Sequence, residues 1–224
     1  MRLQLRRAGA AAAYAAAGRP PATLPWREAR WCSLDLELTG LDARRDDIIA
    51  VGAVPIEAGR VVLGEAVYTL VRTGRQSERG AVLTHKLLTQ KLADAPPIED
   101  AIELILTVLT GRVPVFHAAA VERAFLGPQL RRRRLRMPAA ADTDALGRLW
   151  LRHRDGEAPS WIGLARLAQV LHQRQEPPHH ALGDAVSTAQ AFIALASHLD
   201  GVTPQTVGSL LAAGDLLSAP RQLK

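Results

Sequence analysis

The chain has 224 residues, 48% of them hydrophobic and 4% aromatic, enough for one packed domain whose core is mainly Leu, Val, Ala and Ile. No stretch approaches the roughly 18 uncharged apolar residues of a membrane span, and a single cysteine, Cys32, excludes an internal disulfide and a cysteine-based zinc site. Lys and Arg outnumber Asp and Glu by 28 to 22, which favours polyanionic partners, nucleic acid first.

Residues 1–19 carry Arg2, Arg6 and Arg7 and then an alanine-rich stretch, with no acid before Glu28. That pattern resembles a transit peptide, but alanine makes a weak secretory core, and the segment reads as a short surface helix. Gly18, Pro20 and Pro21 end it. Trp31–Leu36 reads as a buried strand, with Cys32 as a small buried residue that suits a reducing, cytoplasmic compartment. Asp42–Asp47 is a polar turn, Ile48–Ile56 a second strand, Glu57–Arg60 a hairpin turn and Val61–Val71 a third strand. Residues 72–97 read as loop with a short helical stretch over Leu83–Leu92.

Pro96 and Pro97 precede a helix over Ile98–Leu109, ended by Gly111. Val113–His117 is a strand, Val121–Arg134 an amphipathic helix and Pro138–Ala141 a last short strand. Thr143–Leu151, Trp161–Leu171 and His180–Leu199 read as helices. Gly201 closes the domain, and a tail with one short helix follows. Three strands joined by short turns, then strand and helix in alternation, predict an α/β fold: an antiparallel meander plus parallel strands in one mixed sheet flanked by helices.

The chemistry concentrates in Asp35-Leu36-Glu37-Leu38-Thr39-Gly40-Leu41. Positions i and i+2 of a strand share a face, so Asp35 and Glu37 stand together. Two acids on a buried face lose hydration and repel each other, a cost that a divalent cation with a taste for oxygen, Mg²⁺ or Mn²⁺, offsets. The plainer alternative is an amphipathic strand with both acids in water. Asp184, in the first turn of the last long helix, and Glu122, at the start of Val121–Arg134, each have a helix-dipole explanation. Asp142 before Thr143 reads as an N-cap. Arg131–Arg134 with Arg136 is either a phosphate-binding run or a solvated helix end.

Taken together the motifs resemble a family. Asp35-x-Glu37-x-Thr39-Gly40-Leu41, followed by Asp47-Ile48-Ile49 and Gly52-Ala53-Val54, resembles the first motif of the DEDD-superfamily 3′→5′ exonucleases. His179-x-Ala181-x-x-Asp184-Ala185 resembles the third motif of the histidine subtype, the group of the proofreading epsilon subunits of DNA polymerase III and of ribonuclease T. Val115–Leu126 resembles the second motif, with departures. That motif usually reads His-Asn-x-x-Phe-Asp, whereas here Ala118, Val121 and Glu122 stand for its asparagine, phenylalanine and aspartate. Ala141-Asp142-Thr143 and His85 also match the family, and the resemblance spans roughly residues 30–199.

The resemblance implies a ribonuclease H-like exonuclease domain over residues 30–200, between an N-terminal extension (1–29) and a C-terminal tail (201–224). It implies two divalent ions, Mg²⁺ or Mn²⁺, held by Asp35, Glu37, Glu122 and Asp184, with His179 as general base. Thr39, Gly40, Leu41, His85 and His117 would contact substrate. The expected substrate is the 3′ end of a single strand, DNA before RNA, releasing nucleoside 5′-monophosphates, with a polymerase or repair partner and no membrane. An exoribonuclease, or a degenerate fold serving as a binding module, are the alternatives.

Overall fold

Strand β1 (Trp31–Leu38) is buried on both faces and sends successive side chains to opposite sides of the sheet. Cys32, Leu34, Leu36 and Leu38 join one apolar cluster and Trp31 joins the other, so the sheet is sandwiched between two helical layers. In the computed structural model, residues 2–75, 92–174 and 179–213 are described. The sequence-predicted helix over Leu83–Leu92 falls almost wholly outside them.

β1 pairs antiparallel with β2 (Ile48–Glu57) and parallel with β5 (Val113–Phe116), which pairs parallel with β6 (Ala141–Asp142). β3 (Arg60–Val61) and β4 (Val67–Leu70) both pair antiparallel with β2, giving a mixed six-stranded sheet in the order β3-β2-β1-β5-β6 with β4 off that path. The expected single strand over Val61–Val71 is therefore two short ones. A 3₁₀ turn at Leu63–Glu65 lifts the chain off the sheet between them, where Val62 N–H still donates to Pro55 O at 2.9 Å.

Helix α1 (Arg2–Ala16) packs on α2 (Ile98–Leu109). α2 buries Ile102, Ile105, Leu106 and Leu109 at the i, i+3, i+4 spacing of one face. α3 (Ala120–Arg132) carries Pro128 inside it and covers the same face of the sheet. On the opposite face lie α4 (Thr143–Asp155), α5 (Leu164–Val170), α6 (Ala181–Asp200) and α7 (Val207–Leu211). The helix expected from Trp161 begins only at Leu164. Ile162 N–H is taken by Asp144 Oδ1 at 2.8 Å, and Gly163 is extended at ψ 153°.

α6 lies directly over β1 and β2. Ala181, Ala185 and Ala189 keep it close to the sheet, and Phe192 locks its middle against Trp31 (centroids 4.7 Å) and Trp26 (6.1 Å, edge-on). Such aromatic pairs add roughly 0.5–1.5 kcal/mol each beyond the area they bury. At its N-terminal end the approach is closer still. A Cβ on Gly52 would lie 2.2 Å from the Ala181 carbonyl carbon. Gly52 is the β2 partner of Asp35, so this absent side chain sets the distance between α6 and the acids on β1.

Candidate active site

The face of β1 beneath α6 runs Trp31, Ser33, Asp35, Glu37, apolar where Phe192 covers it and acidic where α6 begins. Asp184, in the first turn of α6, completes the group: Asp35, Glu37 and Asp184 each offer a carboxylate oxygen within 4.8 Å of the others. The structure thus brings together three of the four acids expected to bind metal. Burial first, then the charges of Asp184, Glu122 and Glu37, holds the Asp35 carboxyl well above the usual carboxylate range. Burial and Asp184 push Glu37 up to about 7. Burial also raises Asp184, against the opposing pull of the backbone N–H groups of His179 and His180 and of their imidazoles.

Glu122 stands outside that trio but within reach of Asp35's field. It is 4% exposed, and its Oε2 has no hydrogen-bond partner among the described residues. Burial, with some repulsion from Asp142, pushes its carboxyl up to about 8. A helix-dipole acid needs only the open first turn of a helix, so this burial goes beyond that explanation. The N-terminus of α3 is fixed from β6. Asp142 accepts from Ala118 N–H (3.1 Å) and Ala119 N–H (3.0 Å) while also capping α4 through Asp144 N–H (3.0 Å). The N-cap reading of Asp142 holds, and the same side chain sets the position of Glu122's helix.

None of the ion pairs among the described residues includes Asp35, Glu37, Glu122 or Asp184. A crowded carboxylate set of this kind, with an orphaned buried oxygen beside it, fits a hard divalent cation.

The two adjacent histidines diverge. His179 has a left-handed backbone (φ 64°), and its N–H donates to Asp184 Oδ2 at 2.8 Å. His180 is the N-cap of α6, and its ring stacks on Tyr68 at 4.6 Å. Only His179 lines the cleft of about 430 Å³ that also holds Asp35, Asp184, His117 and Trp161. Pro177 and Pro178, expected to stiffen the approach, lie outside the described residues, as does His85.

His117 follows β5, with Nδ1 2.8 Å from Thr143 Oγ1, and burial lowers its pKa. Thr39 is fully buried, and its hydroxyl is used within the loop, donating to Asp46 Oδ1 (3.1 Å) and accepting from Asp47 N–H (2.9 Å). That loop leaves Gly40 buried and projects Leu41, which is 80% exposed. Of the arginine run, Arg133 turns back to Glu103 (3.7 Å), while Arg132 joins Arg44, Arg72 and Arg75 around a second cleft of about 360 Å³ beside the same loop. Trp161 is the cleft residue that sequence reasoning missed. In the sequence it falls in the helical stretch Trp161–Leu171, where an apolar residue reads as core.

A family model described as Exonuclease matches residues 32–192. The chain is 32% identical over 180 residues to the DNA polymerase III subunit epsilon-like protein of Rhodobacter capsulatus, covering 79% of this chain and 25% of that protein. The chain therefore spans a quarter of that relative's length. Among solved structures it resembles Exonuclease X in complex with 5′ overhanging duplex DNA (TM-score 0.58, 23% identity, covering 81% of this chain and 99% of the other). It also resembles the nuclease domain of 3′hExo, a DEDDh family member, bound to rAMP (TM-score 0.61, 15% identity, 81% and 96%). The sheet order, the acid trio on β1 and α6 and a family match over most of the chain lead to one conclusion: this protein belongs to the exonuclease (RNase_T) family, with its ribonuclease H-like fold.

Proposed function

We propose that the cleft hydrolyses phosphodiester bonds at the 3′ end of a single nucleic-acid strand, DNA in the first instance, and releases nucleoside 5′-monophosphates. The observation that carries this reading is the trio of Asp35, Glu37 and Asp184, with oxygens within 4.8 Å of one another and no ion-pair partner among the described residues. Divalent ions, Mg²⁺ or Mn²⁺, would be held by these three with Glu122 serving a second ion, and when bound would supply positive charge to the scissile phosphate and acidify water. His179 would act as the histidine of the DEDDh subtype and take the proton of the attacking water. The hydrogen bond from its own N–H to Asp184 fixes its backbone beside the acids. Exposed Leu41 would meet the terminal nucleotide, His117 would line its pocket, and the arginines around the second cleft would meet phosphates further along the strand.

We further read residues 30–200 as the catalytic unit. The epsilon-like relative supports a polymerase or repair setting. Among the described residues no helix is long and apolar enough to cross a membrane, and a cytoplasmic location remains the expectation.

The test is digestion of a 5′-labelled single-stranded DNA with Mn²⁺, with Mg²⁺ and with excess chelator, products being identified by chromatography. A stepwise 3′ ladder with 5′-monophosphates, abolished by chelator and by Asp35→Asn, is expected. Full-rate hydrolysis in chelator refutes the reading. Faster degradation of an RNA of the same sequence moves the substrate class to RNA.

A further inference from the structure

Trp161 is 61% exposed, whereas Trp26 and Trp31 are each 1% exposed in the core. A large apolar ring left in water forgoes the stabilisation that burial would give it. Its place is specific: it lines the cleft that contains Asp35, Asp184 and His179. The cleft's lining is of two chemical kinds: these three groups with His117, and the less polar Trp161, Gly163, Leu164 and Ala168. A nucleotide likewise has two kinds of part, a charged phosphate and a flat base.

The ring is also held in place. A Cβ on Gly163 would lie 2.8 Å from Trp161 Cη2 and 3.4 Å from Cζ2 and Cζ3, so the six-membered ring rests over the glycine backbone. The next residue, Ile162, is buried, and its N–H donates to Asp144 Oδ1 at 2.8 Å. Arg148 Nε donates to Pro159 O at 3.1 Å, and the same arginine pairs with Asp144 at 3.4 Å. An exposed aromatic side chain on a pinned loop loses little freedom when a flat partner lands on it.

We propose that Trp161 is a substrate-contact residue, the platform on which the base of the 3′-terminal nucleotide stacks while its phosphate faces Asp35 and Asp184. The proposal rests on the exonuclease reading of this cleft and adds the group that grips the base. Stacking of this kind is sequence-tolerant, because every base has a π-face. Trp161 would therefore strengthen binding of all four terminal nucleotides with little preference among them.

The experiment compares wild type, Trp161→Ala, Trp161→Phe and Gly163→Ala on two single-stranded DNA oligomers, one with a normal 3′-terminal nucleotide and one ending in an abasic sugar. Binding with Ca²⁺ is read by anisotropy of a 5′ label, hydrolysis with Mn²⁺ by kcat and KM, and folding by thermal melting. Loss of one stack weakens binding roughly 5- to 150-fold. That loss is expected for Trp161→Ala on the normal end, with wild type and variant equal on the abasic end. Trp161→Phe should keep most of the affinity. Gly163→Ala, whose methyl displaces the ring, should fall between. Equal losses on both oligomers, or no loss on either while wild type hydrolyses both, overturn the stacking role and leave the exonuclease reading intact. Wild type that neither binds nor hydrolyses either oligomer overturns both.

Discussion

Glu122 stands in the first turn of a helix, where an acid needs no further explanation, yet it is 4% exposed with one carboxylate oxygen unpartnered among the described residues. That combination suits a ligand. Glu122→Gln is expected to lower turnover at least tenfold and weaken Mn²⁺ binding by calorimetry, and Glu122→Ala should do the same. Wild-type turnover in Glu122→Gln would leave a three-carboxylate site. The histidine pair separates on geometry. His179→Ala should reduce turnover by roughly 10²–10⁴-fold, the usual scale of a lost general base, with Mn²⁺ binding retained. His180→Ala loses a stack on Tyr68 and a cap of α6, outside the cleft, and should change turnover only slightly. Turnover of both variants at saturating Mn²⁺ decides it, and an equal or larger loss in His180→Ala would reassign the base.

At the scale of elements, the acids meet because one helix end sits very close to one strand. β1 presents Asp35 and Glu37, but Asp184 arrives only because α6 crosses β2 where Gly52 has no side chain. Gly52→Ala would place a methyl 2.2 Å from the Ala181 carbonyl carbon, which neither backbone can tolerate unmoved. Overpacking of this kind typically destabilises by about 1–3 kcal/mol, so the melting temperature should fall. Because α6 must shift at its N-terminus, Mn²⁺ affinity and turnover should fall further than in a control variant of equal stability loss at the distant Phe192. Melting curves and metal titrations on the two variants test this, and equal metal affinities would show that Gly52 matters for stability alone.

For the whole molecule, the crowded acids make metal-free stability depend on pH in an unusual direction. Glu122 titrates at 4.5 in an open chain and at about 8 in the fold, so between those values the native state holds more protons than the unfolded state. Stability therefore falls as pH rises through that window. Glu37, raised to about 7, acts in the same sense. In chelator, the melting temperature of Glu122→Gln should exceed that of wild type by a margin that grows from about pH 5 to about pH 8, where wild type must bear the buried charge. A margin independent of pH would refute this. Metal binding must displace the same protons, so Mn²⁺ should raise the wild-type melting temperature more at pH 8 than at pH 5.5.

The sequence by itself determined the strand alternation that puts Asp35 and Glu37 on one face, the helix starts that carry Glu122 and Asp184, and the mixed character of the sheet. These depend on periodicities of 2 and 3.6 and on turn residues, all local in the chain. It did not determine that Val61–Val71 breaks into two strands, because the 3₁₀ turn at Leu63–Glu65 is only three residues long and its exposed Leu63 looks in the sequence like another apolar strand position. Nor did it determine that Trp161 stands in the cleft. A hydrogen bond from Ile162 to Asp144, 18 residues away, holds that segment out of the helix, and local propensity carries no trace of such a contact. The convergence of Asp184 on Asp35, the isolation of Glu122's oxygen and the divergence of His179 from His180 were likewise decided by tertiary structure, because each depends on which backbone lies against which across the sheet.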